Sequence, residues 1–304
     1  MPNLLLTGGS GLLALNWARV MAGSRWTVHR LEHSRRLTVS GSQGYHAGLD
    51  TIDQARHLLD GLRPDLVVNC AGLTSVEACE MNPDAARRVN ADMPGLLASA
   101  CRHAGVTFVH ISTDHLFDDR AILFTEMDEP APLNIYGLTK AEGERAVLEA
   151  APAALVVRTN FFGWGTSYRR SFSDAIIGAL RARQSTTLFD DVYFTPILMD
   201  QLVVLVHELV ARQASGLYHA VGDERLTKYD FGVQVARAFG LDEGLLKRGK
   251  ISDRPELVRR PRQMGLSNAK LHGMTGMPAG NVTSQLEQLA ALESAANVKE
   301  LQQL

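Results

Sequence analysis

The sequence predicts an α/β protein: a doubly wound parallel sheet followed by a smaller C-terminal substrate-binding lobe. Three observations carry this. The chain opens on an apolar run that stops at a glycine turn and continues with helical spacing. Short apolar runs then alternate with helical segments through the first half. One of those runs ends in Ser112-Thr113-Asp114, upstream of Tyr136 and Lys140. These two lie four residues apart, so a helix puts them on one face.

The elements follow in order. Asn3–Thr7 reads as the first strand and Leu12–Ala22 as the first helix, with Thr7-Gly8-Gly9-Ser10-Gly11 between them. The spacing Gly8-x-x-Gly11-x-x-Ala14 fits a dinucleotide turn. Gly8 permits the tight turn, Gly11 lets backbone approach a pyrophosphate, and Ala14 allows close helix–strand packing. The helix N-terminus offers free N–H groups to the phosphates. Trp26–Arg30 is the second strand. Arg30 at its end favours a 2′-phosphate and hence NADP(H), with Ser34 and Arg35 assisting. Glu32, two residues on, keeps NAD(H) open as the alternative.

Tyr45–Leu49 is a weak third strand ending at Asp50, and Ile52–Leu62 a helix stopped by Pro64. Leu66–Cys70 is the fourth strand, continued by the small residues Ala71 and Gly72 and then Leu73 and Thr74. Pro83–Gly105 reads as one long helical pattern with a kink or restart at Pro94. Val106–Ser112 is the fifth strand, Tyr136–Ala150 a helix, and Leu155–Thr159 the sixth strand. Right-handed crossovers place all strand C-termini on one edge. The ends at Thr7, Arg30, Asp50, Cys70 and Ser112 are therefore expected at one crevice. Residues 1–160 form the expected Rossmann domain, with 197–222 returning to it, and 161–304 the substrate lobe. In that second half the aromatic loops around Phe161 and Tyr193, and the basic loop Arg254–Arg262, can stack on a base or clamp a diphosphate. Core packing and a solvated loop are the plainer alternatives.

Composition narrows the classes. The chain has 304 residues, 45% hydrophobic and 21% charged, an ordinary globular mix. A net charge of −2 advertises no nucleic-acid partner. No run approaches the roughly 18 apolar residues of a membrane span, and the opening lacks the basic region of a signal peptide. Cys70, Cys79 and Cys101 fit no disulfide or zinc spacing, so a cytoplasmic setting without a metal is expected. His207-Glu208 lacks the second histidine of a zinc-protease helix, since Ala211 stands there. The tail from Val282 is compatible with a packed helix, an oligomer contact or a frayed end, which leaves a homodimer open.

The motifs TGGSGLLA, STDHLF, PLNIYGLTKAEGE, VVRTNFF, GLYHAVGDE and RRPR resemble the extended short-chain dehydrogenase/reductases, and within them the dTDP-4-dehydrorhamnose reductase family. The resemblance spans both halves. It implies NADPH-dependent reduction of a keto group on a nucleotide-linked 4-keto-6-deoxy sugar. Tyr136 is then the acid that protonates the carbonyl oxygen, and Thr113 a second hydrogen-bond donor to it. Lys140 lowers the phenol pKa and holds the nicotinamide ribose. Gly8, Ser10, Gly11 and Leu12 sit at the pyrophosphate, Arg30 at the 2′-phosphate, Asp50 at the adenine, and Ala71, Gly72 and Leu73 along the cofactor. Thr74, Asp114, Phe161 and Arg260 face the substrate.

The chain departs from the family at His115, Leu116, Asp119, Phe161 and 193–196. Those departures fall in the substrate pocket and leave the sugar open. Leu226-Thr227-Lys228-Tyr229-Asp230 also resembles the regulatory subunit of methionine adenosyltransferase, which implies an NADP-binding partner protein as the alternative function. An extended-type epimerase or dehydratase, which retains NAD, is a third.

Overall fold

The computed structural model describes residues 1–304. Strands β1 (Asn3–Thr7), β2 (Thr27–Glu32), β3 (Ser42–His46), β4 (Leu66–Asn69), β5 (Thr107–Ile111) and β6 (Leu155–Arg158) alternate with helices α1 (Leu12–Met21), α2 (Ile52–Leu62), α3 (Val76–Met81), α4 (Pro83–Arg87), α5 (Met93–Ala104) and α6 (Ile135–Ala150). Then follow β7 (Phe161–Phe162), α7 (Phe172–Arg181), β8 (Thr186–Phe189), β9 (Tyr193–Phe194), β10 (Ile197–Leu198), α8 (Met199–Ala211), β11 (Gly216–His219), β12 (Leu226–Thr227) and α9 (Lys228–Ala238). The chain closes with β13 (Leu246–Gly249), β14 (Gln263–Met264), α10 (Ala269–Thr275), α11 (Val282–Leu292) and α12 (Ala296–Gln303).

Seven strands form one parallel sheet in the order β11-β6-β5-β4-β1-β2-β3. The order reverses between β1 and β4, the switch point where a crevice opens beyond the strand C-termini. Continuous apolar runs such as Leu4-Leu5-Leu6 suit strands covered on both faces. One face packs through Leu4, Leu6, Val68 and Val109 against α1 and α8, as Trp17, Leu202 and Val206 show. The other packs through Leu5, Val67, Phe108 and Val156 against α2, α5 and α6. A third cluster, with Phe162, Trp164, Phe194 and Phe231, forms the C-terminal core and takes in Val298 and Leu301 of α12. The tail is thus a packed helix pair.

Three differences from the sequence reading bear on the site. β2 runs on to Glu32 instead of ending at Arg30, and β3 ends at His46 instead of Leu49. The long helical pattern is broken: α4 gives way to a π-helical turn, Arg88–Asp92, before α5 begins. Pro94 has no N–H to give the Asn90 carbonyl four residues back. That freed carbonyl faces Gly143 of α6, where a Cβ would meet the Asn90 oxygen at 2.1 Å. Glycine at 143 lets the two segments touch.

Candidate active site

The glycine turn meets the demands of a phosphate cradle. Gly8 has φ +64°, and a Cβ there would meet the Ala71 Cα at 2.8 Å. The Gly11 N–H bonds the Gly8 carbonyl at 2.7 Å, and a Cβ on Gly11 would press on that same oxygen. α2, α6, α7, α9 and α11 carry side-chain N-caps, whereas α1 has none at Gly11. The N–H groups of Leu12, Leu13 and Ala14, ahead of the Leu15 N–H bond to Gly11 O, are left for a ligand. The Ser10 carbonyl accepts from the Tyr168 hydroxyl at 2.8 Å, so a loop of the second half seals this turn. These features fit a dinucleotide pyrophosphate.

The opposite wall is Ala71-Gly72-Leu73. Asn90 holds it twice, accepting from the Leu73 N–H at 2.8 Å and donating to the Leu73 carbonyl at 3.0 Å. Its amide also donates to Thr139 of α6 at 3.1 Å. Asn90 is a functional residue the sequence reading passed over. Its signal was a polar side chain just ahead of Pro94 inside a helical pattern.

Arg30 does not face the cofactor side of the crevice. It is fully buried, and its guanidinium donates to Ser42 Oγ (2.8 Å), Gly9 O (3.2 Å), Leu37 O (3.0 Å) and Glu32. Four of its five N–H donors are therefore taken inside the protein. Glu32, also buried, is held by Arg30, the Leu37 N–H (3.2 Å) and His46 (3.2 Å). The two-residue extension of β2 puts both side chains on one face and locks them together. The exposed guanidinium near the glycine turn belongs to Arg35, which lies 4.1 Å over the Tyr168 ring. Asp50 is exposed after β3, its own N–H held by Gln54 at 2.8 Å.

Thr113, Tyr136 and Lys140 converge beyond β5, all buried. Asn134 caps α6 by accepting from the Gly137 N–H at 2.8 Å, and its amide donates to the Arg259 carbonyl at 2.9 Å. The helix start that carries Tyr136 is thereby tied to the basic loop. Burial pushes the Tyr136 phenol up to about 12, with the nearby Thr113 hydroxyl opposing, Asp114 and Cys79 adding, and Arg169 opposing. Lys140 is not among these influences. Its ammonium points beneath the site, donating to Ile111 O at 2.7 Å and contacting His110 Nε2 at 3.2 Å. Burial brings Lys140 down to about 8, against the pull of Glu144 and Cys70. The Lys140 ammonium is thus engaged by Ile111 O and His110 and makes no hydrogen bond to the phenol. Ser112 Oγ and His115 Nδ1 are buried without a protein partner, and the His115 ring meets Tyr136 edge-on at 5.6 Å.

The expected substrate residues divide. Asp114 is 1% exposed and engaged by Asn160 (2.5 Å) and Thr113 (3.4 Å), so it braces Thr113 from behind. Arg260 is ion-paired with Glu77 and donates to Val258 O at 3.2 Å. Phe161 pairs with Ile197 across β7 and β10 and packs on the sheet core. Thr74 accepts from Arg169 at 2.7 Å at the exposed mouth. Lys228 was missed. At the start of α9 its Nζ lies 3.4 Å over the Phe194 ring and 4.8 Å from that of Phe172. Burial brings it down to about 8 while Asp114 holds it up. No spacing rule connects residue 228 to residue 114; only the fold does.

The profile of the RmlD substrate binding domain matches residues 2–294. The chain belongs to that family. It is 32% identical over 294 residues to the probable low-salt glycan biosynthesis reductase Agl14 of Haloferax volcanii, covering 95% of this chain and 97% of the relative. It is 29% identical to the methionine adenosyltransferase 2 subunit beta of Pongo abelii, covering 89% and 82%. The crystal structure of a dTDP-4-dehydrorhamnose reductase from Clostridium acetobutylicum superposes with a TM-score of 0.83 at 26% identity, covering 95% and 99%. Membership brings the extended short-chain dehydrogenase/reductase fold that the motifs suggested.

Proposed function

We propose that this chain is an NADPH-dependent reductase of a keto group on a nucleotide-linked 4-keto-6-deoxy sugar. The observation that carries it is the burial of Thr113 and Tyr136 together beyond β5, at the sheet edge that also bears the glycine cradle. With a phenol at about 12, Tyr136 keeps its proton at neutral pH. That is the state a reduction needs, because the carbonyl oxygen gains a proton as its carbon gains hydride. The bound nicotinamide supplies the hydride. Tyr136 donates the proton, Thr113 steadies the oxygen, and Asp114 with Asn160 fixes Thr113. Gly8, Ser10, Gly11 and Leu12 take the pyrophosphate, and Ala71, Gly72 and Leu73 line the other wall. Arg35, in place of Arg30, takes the 2′-phosphate. Arg169 at the mouth and Lys228 beside Asp114 bring positive charge to the substrate side, which suits a sugar nucleotide diphosphate.

Residues 1–160 with 197–222 serve in this reading as the cofactor domain, and the remainder as the substrate lobe. A cytoplasmic setting fits the three free cysteines. With the tail used inside the chain, a homodimer would need another face, which sedimentation can read. Loss of NADPH absorbance on adding dTDP-4-dehydrorhamnose tests the function, and no turnover with any 4-keto sugar nucleotide refutes it. The likeness to a methionine adenosyltransferase subunit supports a second reading, an NADP-binding regulatory partner. Co-purification of such an enzyme in the absence of any reductase turnover would decide for it.

A further inference from the structure

A row of buried polar side chains runs across the sheet beneath α6. Thr7, Asn69 and His110 stand opposite one another on the neighbouring strands β1, β4 and β5. All three are 0% exposed. Thr7 Oγ1 donates to Asn69 Oδ1, Asn69 Nδ2 lies 2.9 Å from His110 Nδ1, and His110 Nε2 lies 3.2 Å from Lys140 Nζ. The row begins at the residue before Gly8, and Thr7 Oγ1 also accepts from the Ala71 N–H at 3.3 Å. Both walls of the cofactor crevice are therefore attached to it.

A neutral imidazole offers one donor and one acceptor. Two hydrogen-bond arrangements run through the row from end to end. In one, the Lys140 ammonium donates to Nε2, Nδ1–H donates to Asn69 Oδ1, and the Asn69 NH2 donates to Thr7. In the other, Nε2–H donates to a neutral Lys140 amine, the Asn69 NH2 donates to Nδ1, and Thr7 donates to Asn69 Oδ1. The arrangements differ by one proton, removed from the lysine. The imidazole carries one proton in both, on Nδ1 in the first and on Nε2 in the second. The side-chain orientations present are those of the second.

We infer that Thr7, Asn69 and His110 are positioning residues that hold Lys140 in either charge state, His110 switching tautomer as the lysine titrates. The link to turnover rests on the reductase reading, with Lys140 holding the nicotinamide ribose as the family resemblance implies. The other groups facing Lys140 are fixed. Glu144, one turn on along α6, is locked to Arg158 of β6 at 2.7 Å. The Cys70 thiol at the β4 edge is pushed up by burial, and the Tyr136 phenol likewise. His110 itself is held well below its ordinary value by burial and by Lys140, so it changes tautomer without becoming charged.

The first test needs neither substrate nor cofactor. Nitrogen-15 NMR of histidine-labelled wild-type protein distinguishes the two tautomers. His110 is expected to pass from Nδ1–H to Nε2–H around pH 8, the Lys140 midpoint, while staying neutral. One unchanging tautomer from about pH 6 to about pH 10 overturns the inference, whatever the enzyme's activity. The second test is the pH profile of kcat. His110→Leu removes the acceptor that favours the ammonium, so the alkaline limb should move down by about one pH unit, a tenfold loss above it. KM for NADPH should not change, and His110→Gln, which can still accept, should restore the limb. A folded His110→Leu variant with an unmoved limb also overturns the inference.

Discussion

Arg30 allows the sharpest separation of stability from cofactor choice. Replacing it with Met removes a guanidinium that is 0% exposed and leaves Glu32, also buried, with only the Leu37 N–H and His46. Breaking a buried ion pair from one side typically costs about 3–5 kcal/mol. At about 2.1 cal/mol/K per residue, unfolding this chain of 304 residues carries an entropy near 0.6 kcal/mol/K, so the melting temperature should fall by about 5–8 °C. The ratio of NADPH to NADH affinity should hold, because Arg30 is 0% exposed and four of its five N–H donors are taken inside the protein. Arg35→Ser should do the reverse. Its melting temperature should barely move, while NADPH affinity falls about tenfold or more and NADH affinity stays. Differential scanning calorimetry and fluorescence titration with both nucleotides read the two outcomes. An Arg30→Met protein that melts normally yet loses its NADPH preference would refute the assignment of Arg30 as a buried strut.

Three other perturbations follow from the same geometry. Tyr136→Phe should lower kcat by about 10²–10⁴-fold in the NADPH oxidation assay with NADPH affinity intact, and full activity would remove it as the acid. Gly143→Ala would set a Cβ 2.1 Å from the Asn90 oxygen, so α6 must shift. We expect a loss of about 1–3 kcal/mol in urea unfolding and a fall in kcat, since Tyr136 and Lys140 ride on that helix. His219 is 0% exposed and lowered to about 3 by burial and Arg158, so it is neutral when folded. Its contribution is complete above the ordinary histidine value and is lost as pH falls toward 3, by about 1.4 kcal/mol per unit. Urea midpoints at neutral and mildly acid pH should therefore converge in His219→Gln, and an unchanged gap would contradict this.

Much of the fold was legible because its signals are local. The glycine turn, the alternation of elements and the Ser-Thr strand end followed by Tyr136 and Lys140 each fit within a few residues of chain. The misreadings share a different cause. Arg30 was judged by its type at a supposed strand end, but two further residues of β2 brought Glu32 beside it and turned a ligand group into a core pair. Asp114 was read as facing the substrate, and Asn160 took it from the far side. Lys228 and Asn90 act through partners distant in sequence, at Asp114 and at the Leu73–Thr139 pair. Such side chains carry no signature of their own until the sheet order assembles them.

Asn134 stands two residues before Tyr136 and spends one amide on two tasks: its oxygen starts the helix and its nitrogen grips the Arg259 carbonyl. The loop that would greet the charged end of a substrate is therefore hitched to the pose of the proton donor. Drawing that loop outward unseats the helix start. Insertions or deletions between Arg254 and Arg262 should accordingly surface as slow turnover in a protein that still holds its nucleotide, a defect far from the chemistry that behaves as though it were in it.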